Sequence, residues 1–403
     1  MAGKDKVVIL SAVRTPIGSF CGALSSLRAH DLGAVVIKEA VARARVQPSD
    51  VSEVIMGQAL TAGQGQNPAR QASMKAGLPK EVTATGLNML CGSGLKAISL
   101  GAALIADGQA KIVVCGGQES MSQAPHCHRL RLGGPKVLGD TKFIDTMLND
   151  GLTDVFHDAH MGMTAEEVAS KWGITREEQD ALALESQKRV AATTGSGGKG
   201  FSAEIVPVEV PGPKRGQTTI VDKDEYPRPD TTMEDLVKLK PVFKKDGTVT
   251  AGNASGINDG AAAVVLTTEE YALSKNLPVM ATIVSYAQSG VEPMVMGMGP
   301  VPAVKKALEK ANWSVDDVDL FELNEAFASQ SIACVRDLGI DSSKVNVRGG
   351  AIALGHPIGA SGARVLVTLI HALQQEKKKR GVASLCVGGG MGVAMCIECN
   401  TAE

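Results

Sequence analysis

Apolar positions along the chain follow two different periods. Short runs rich in β-branched residues at 7–10, 53–56, 111–114, 280–284, 320–323 and 384–387 read as strands. Between them, 32–45, 94–106, 303–311, 325–338 and 362–375 carry apolar residues at helical spacing. Strands alternating with helices predict an α/β protein with a mostly parallel sheet covered by helices. In the 94–106 helix, Leu95, Ile98, Ala102 and Ile105 sit among other small or apolar residues on nearly every side. Such a helix belongs inside the molecule.

The pattern also repeats. Asp50-Val51 precedes one apolar strand and Asp317-Val318 precedes another. The helices opening at Gly94 and at Gly362 each follow a loop of small residues. Each helix leads to a strand ending in cysteine and glycine, Val114-Cys115-Gly116-Gly117 and Leu385-Cys386-Val387-Gly388-Gly389-Gly390. Three matches at nearly one offset indicate a duplicated α/β unit. The stretch 121–250 differs, with helices near 162–172 and 176–194 and then Pro207, Pro211, Pro213, Pro227 and Pro229. It is too polar for a third core unit and too helical for a linker, and reads as an inserted lid.

Composition narrows the picture. Of 403 residues, 41 are basic and 43 acidic, a net charge of −2 that argues against a nucleic-acid binder. No apolar run reaches the roughly 18–20 residues needed to cross a bilayer. The N-terminal segment has neither a signal-peptide core nor a basic, acid-poor transit segment, so the cytosol is the expected location. Eight cysteines are too sparse for a disulfide scaffold. Glycine is in excess: 45 residues, against roughly 7% of an average chain, imply close backbone approach at many points.

Most familiar motifs fail on context. The G-x-G-x-x-G spacing at 195–200 follows no strand, so a flexible loop is expected rather than a dinucleotide site. Cys396 and Cys399 lie in an alternating stretch with Val393, Met395 and Ile397, which points to structural cysteines on a last strand. His126, His128, His157 and His160 lack metal-ligand spacing, and no metal is expected.

A thiol constellation survives. Cys91, in Asn88-Met89-Leu90-Cys91-Gly92-Ser93-Gly94, directly precedes the buried helix. Unpaired N–H groups and the positive dipole end there favour thiolate over thiol, although a core cysteine fits the same pattern. In Gly355-His356-Pro357-Ile358-Gly359-Ala360-Ser361-Gly362, His356 occupies the duplicate of the Cys91 position and supplies a base for a nucleophile. Cys386 ends the strand that follows, where the ligand crevice of such a sheet opens. Asn324, in Asn324-Glu325-Ala326-Phe327, follows a strand and opens a helix, so it serves either as a cap or as a buried amide beside the crevice.

These segments, with Val7-Val8-Ile9-Leu10-Ser11-Ala12-Val13-Arg14-Thr15-Pro16-Ile17-Gly18 at one end and Gly388-Gly389-Gly390-Met391-Gly392 at the other, resemble the thiolases, in particular those of the short-chain type. The resemblance covers essentially the whole chain. It implies two βαβαβ halves in five α-β-α-β-α layers. The first half would be 1–120, completed by 251–271; 121–250 would be the inserted loop domain, and 272–403 the second half. The implied activity is acetyl-CoA C-acetyltransferase, the reversible Claisen condensation of two acetyl-CoA to acetoacetyl-CoA and CoA, with coenzyme A as substrate and no cofactor. Cys91 would carry the acetyl group, His356 would help deprotonate it, and Cys386 would exchange the α-proton with a thiol pKa tuned modestly from about 8.5. His356 and a water on Asn324 would face the enolate oxygen, and the N–H groups of Cys91 and Gly388 the tetrahedral one.

By the same resemblance Ser255 meets the pantetheine arm, with His160, Met161, Ala326 and Phe327 along the channel. Arg228 and Phe243 match lid positions near the nucleotide, and Met296 closes the acyl pocket. Pro229-Asp230 stands where relatives commonly carry His-Gly, a departure at the nucleotide end. A homotetramer is implied, with part of 121–149 pairing dimers. The rival readings are a degradative 3-ketoacyl-CoA thiolase, a decarboxylating β-ketoacyl synthase, which would not need Cys386, and a catalytically silent acyl-CoA-binding protein.

Overall fold

The computed structural model describes residues 5–128, 140, 142–195, 200–212, 214 and 216–400. The main strands are β1 Val7–Arg14, β2 Glu53–Gly57, β3 Thr83–Leu87, β4 Val113–Ser120, β5 Asn258–Thr268, β6 Ala281–Gly290, β7 Leu320–Leu323, β8 Arg380–Val387 and β9 Met391–Cys399. The main helices are α1 Ala29–Arg43, α2 Pro68–Lys75, α3 Ser93–Ala106, α4 Met161–Trp172, α5 Arg176–Thr194, α6 Pro300–Ala311, α7 Ala328–Leu338 and α8 Ile358–Gln375. The strands join in the order β7-β8-β9-β6-β1-β5-β4-β2-β3, with Gly18–Ser19 pairing on β5.

The duplication shows in this order. From the seam between β1 and β6, both halves step outward through two antiparallel pairings and then a parallel one: β1, β5, β4, β2 in one half and β6, β9, β8, β7 in the other. The first half adds β3 in parallel; the second has only a parallel bridge from Phe321 to Val345 at that position. The sheet is therefore mixed, not mostly parallel as expected. Two features produce the antiparallel pairings. Residues 388–390 turn β8 straight back into β9, and β5, arriving after the 121–250 excursion, inserts between β1 and β4. Its first half, Asn258-Asp259-Gly260-Ala261-Ala262-Ala263, carries no β-branched residue and hid it from the pattern.

Alternation along the strands builds five layers. Inward residues Ile9, Val113, Val264 and Leu266 of one half, and Leu385, Val387, Val393 and Met395 of the other, bury α3 and α8 between them. Val8, Leu10, Val114 and Val265 face outward onto α1 through Leu32, Val36 and Ile37. On the opposite side Phe321, Val382 and Cys396 pack on α6 and α7 through Val304, Leu308 and Cys334. Each side chain buried this way contributes about 1.5–3 kcal/mol, so strands covered on both faces hold two helix layers at once.

The central helices cross with no room for side chains. A Cβ on Gly362 would fall 2.3 Å from the Leu95 nitrogen, and one on Gly94 would fall 2.6 Å from the Ala363 nitrogen. The glycine excess thus has a structural use at the crossing of the two helices that follow the Cys91 and His356 loops. Outside the core, α4 and α5 lie within the polar 121–250 stretch where helices were expected. Residues 196–199 of the G-x-G-x-x-G spacing and most of 129–141 lie outside the described residues. Cys396 and Cys399 are free, buried thiols on β9. Among the described residues no helix is long and apolar enough to cross a membrane.

Candidate active site

Cys91 sits in a one-turn 3-10 segment, Leu90–Gly92, that leads into α3. Leu90 is held at φ +45°, a conformation that costs a side-chain-bearing residue about 1–3 kcal/mol unless its surroundings impose it. Here they do. The Leu90 N–H donates to Asn88 Oδ1 at 2.8 Å, the Met89 N–H donates to Ser93 Oγ at 2.8 Å, and that hydroxyl donates to the Leu90 carbonyl at 2.7 Å. The bracket presents the thiol at the end of the buried helix.

His356 is aimed by its neighbours. Its backbone N–H donates to Asn258 Oδ1 at 2.8 Å, and Asn258 Nδ2 donates to the Gly18 carbonyl at 2.9 Å. Its Nδ1 lies 2.6 Å from Ser361 Oγ, and that hydroxyl donates its own hydrogen to the Pro357 carbonyl at 2.9 Å. Nδ1 therefore carries the ring proton and Nε2 is left with a bare lone pair. That lone pair points at Cys91 Sγ, 3.3 Å away. Burial, reinforced by Arg364, pushes the imidazole down to about 3, so it rests neutral.

The thiols depart from expectation. Burial pushes Cys91 up to about 11, against the N–H groups of Gly388 and of Cys91 itself, which reach its sulfur and favour the thiolate. Cys386, fully buried, is raised well above the ordinary thiol range by the same cause, with the Cys91 sulfur adding to it. Desolvation outweighs the helix end, and both thiols rest protonated.

Asn324 is not a helix cap, because α7 begins at Ala328 with Phe327 as its N-cap. Its backbone N–H donates to the Ser384 carbonyl, whereas both side-chain amide atoms are buried and unpartnered. An orphaned buried amide is unusual and is a ready site for a water or a substrate oxygen.

A cavity of about 710 Å³ opens onto Cys91, His356 and Gly388. His160, Met161, Arg228, Phe243, Ser255, Met296, Ala326 and Phe327 all line it. Cys386 and Asn324 are not on the lining. Cys386 lies behind it, packed in one cluster with Met161, Met296, Ala326 and Phe327, and Asn324 stands two residues before the lining residue Ala326. Phe243 stacks on the His160 ring at 4.7 Å. His160 Nδ1 accepts the Gly162 N–H at 3.0 Å, so this half-buried imidazole is neutral with its Nε2–H turned to donate. Arg228 lies over the Tyr226 ring at 6.0 Å.

Three contributors escaped the sequence reading: Ser361, Asn258 and Tyr226. Ser361 lies in the histidine motif itself, five positions on and in the first turn of the helix that follows His356; the other two depend on tertiary folding. Among the described residues no group of three or more His, Cys, Asp or Glu is placed to hold a metal ion.

A neutral base on a protonated thiol, two amides at the same sulfur and a second thiol behind it can form and resolve a covalent thioester, which makes this a thiol-dependent acyl-transfer fold. The comparisons make it specific: the chain belongs to the thiolase family, matching its N-terminal domain over residues 7–270 and its C-terminal domain over 277–399. It is 58% identical to an acetyl-CoA acetyltransferase of Rhizobium meliloti, covering 97% of this chain and 98% of that one. It is 55% identical to the cytosolic acetyl-CoA acetyltransferase of Rattus norvegicus, covering 98% and 99%. The crystal structure of the Bacillus anthracis acetyl-CoA acetyltransferase superposes with a TM-score of 0.96 at 45% identity, covering 99% of this chain and 100% of that one.

Proposed function

We propose that the protein is an acetyl-CoA C-acetyltransferase, condensing two acetyl-CoA to acetoacetyl-CoA and CoA through an acetyl-Cys91 intermediate. The observation that carries this reading is His356 Nε2 at 3.3 Å from Cys91 Sγ with its lone pair free.

The resting protonation states dictate the order of steps. Cys91 attacks the thioester carbonyl while its proton passes to His356 Nε2. The negative charge moves to the thioester oxygen, which the N–H groups of Cys91 and Gly388 receive; removing one such donor typically costs about 10²–10³ in rate. As the C–S bond breaks, CoA leaves as a thiol by taking the proton of Cys386. Cys386 is now a thiolate and removes an α-proton from the second acetyl-CoA. The enolate oxygen faces the protonated His356 and a water on Asn324. Its carbon attacks acetyl-Cys91, and the departing Cys91 sulfur recovers its proton from His356. Protons balance over the cycle, and the raised thiols make chemical sense as proton stores rather than resting thiolates.

In this reading Ser255 and His160 hold the pantetheine arm, Arg228 and Phe243 flank the outer channel, and Met296 limits the acyl chain. Residues 121–250 act as a lid, the assembly is a homotetramer, and the enzyme works in the cytosol without a cofactor. Mass spectrometry after incubation with acetoacetyl-CoA tests the core claim. An acetyl group on Cys91 is expected; a stable adduct elsewhere overturns it.

A further inference from the structure

Glu119, near the end of β4, is fully buried. Its carboxylate accepts three backbone hydrogen bonds. Two come from the loop after β2, the N–H groups of Ala59 at 2.9 Å and Leu60 at 3.2 Å. The third comes from Gly359 in the first turn of α8, at 2.9 Å. Burying a carboxylate is costly unless it is well bonded; main chain supplies all three bonds here, and burial still pushes the carboxyl up to about 7.

The tethered segments pack behind the reaction centre. Ala59, Leu60 and Ile358 form one apolar cluster with Met121 and Met147, and Cys91 packs against it. Gly359 stands three residues after His356, in the helical turn that also carries Ser361, the partner of the imidazole Nδ1. Asn88, in the bracket that holds Cys91, donates to the Ala59 carbonyl at 3.3 Å. The meeting point has no slack: a Cβ on Gly359 would fall 2.7 Å from Glu119 Oε2 and 2.7 Å from the Gln58 Cα. Glu119 itself does not line the cavity.

We propose that Glu119 is a positioning residue for acyl transfer: it ties the loop after β2 and the first turn of α8 to the end of β4, and so holds Cys91 at hydrogen-bond distance from His356 Nε2. The proposal rests on the reading of Cys91 and His356 as the reacting pair. A displacement of about 1 Å in such a pair costs up to about 10²-fold in rate.

Glu119→Gln places an NH2 where a carboxyl oxygen accepts an N–H, and Glu119→Asp keeps the carboxyl but is too short to bridge both segments. For each, the acetylation rate of Cys91 by acetoacetyl-CoA is followed by rapid-quench mass spectrometry, alongside kcat, KM and the melting temperature. Rates are normalised to the protein that binds CoA. In the folded variants acetylation and kcat are expected to fall about 10- to 100-fold, with KM within about threefold. Normalised rates within about twofold of the parent in both variants overturn the clamp. Loss of folding in both assigns Glu119 to stability alone and also overturns it. A parent protein that never acetylates Cys91 overturns the reading of the site instead, so the two failures are distinct.

Discussion

Ser361 Oγ stands 2.6 Å from His356 Nδ1 and gives its own hydrogen to the Pro357 carbonyl, which leaves His356 Nε2 as a lone-pair acceptor toward Cys91. One hydroxyl therefore sets the ring's tautomer and its angle together. Ser361→Ala removes the acceptor for Nδ1–H and frees the ring to flip. Since an unmade buried hydrogen bond costs about 1–3 kcal/mol, kcat should fall about 10- to 100-fold while KM moves little. Steady-state thiolysis of acetoacetyl-CoA checks this; an unchanged kcat removes Ser361 from the orientation of His356.

The two thiols separate experimentally. Cys91→Ala should abolish turnover and still bind CoA, because Ser255, His160 and the rest of the channel are untouched. Cys386→Ala should still form some acetyl-Cys91, since His356 takes the first proton, but exchange the α-protons of acetyl-CoA about 10²–10⁴-fold more slowly. Deuterium exchange into acetyl-CoA followed by NMR reads that step directly. Undiminished exchange takes Cys386 out of the mechanism.

Protonation states give a pH prediction whose sign opposes the helix-end argument. Alkylation by iodoacetamide requires thiolate, and burial holds Cys91 at about 11 while His356, at about 3, stays neutral across the working range. The alkylation rate of Cys91 should therefore climb about tenfold per pH unit through neutrality and beyond pH 9 without levelling. A plateau near neutral pH, the mark of a preformed thiolate and imidazolium pair, contradicts the resting state described above.

How much of this was legible in the sequence depends on which force decides each feature. The two buried helices, the duplication and the cysteine and histidine loops were legible because glycine and proline punctuate them and because a helix apolar all round has only one place to go. β5 was not, because its alanine-rich start carries no strand preference until it lies between β1 and β4. The thiol protonation was not either: the helix end is visible at Cys91, but the desolvation that outweighs it comes from residues such as Leu60, Met121 and Ile358, distant in sequence. Likewise Asn324 is an attractive cap in the sequence, and only the position of α7 frees its amide.

The helix crossing should be intolerant of a single methyl. Gly362→Ala sets a Cβ against the Leu95 nitrogen, where backbone cannot yield. Overpacking of this kind costs about 1–3 kcal/mol or more. The melting temperature should drop, and activity should fall beyond the loss of folded protein because both active-site loops ride on the displaced helices. Leu373→Met, a volume-conserving change at the far end of α8, serves as the control and should cost less than about 1.5 kcal/mol.

Met296 lines the cavity and packs in the Cys386 cluster with Ala326 and Phe327, which puts the proposed limit on acyl-chain length within reach of a test. On the proposed reading its side chain takes the space a longer acyl group would need. Met296→Ala should therefore raise kcat/KM for a 3-ketohexanoyl-CoA substrate by about 10-fold, since one or two methylenes in such a pocket are worth about 1–3 kcal/mol. The same change should leave acetoacetyl-CoA thiolysis within a few-fold of the parent, because Cys91, His356 and Gly388 keep their places. A parent protein that already prefers 3-ketohexadecanoyl-CoA over acetoacetyl-CoA would show that Met296 does not close the pocket and would favour a degradative thiolase.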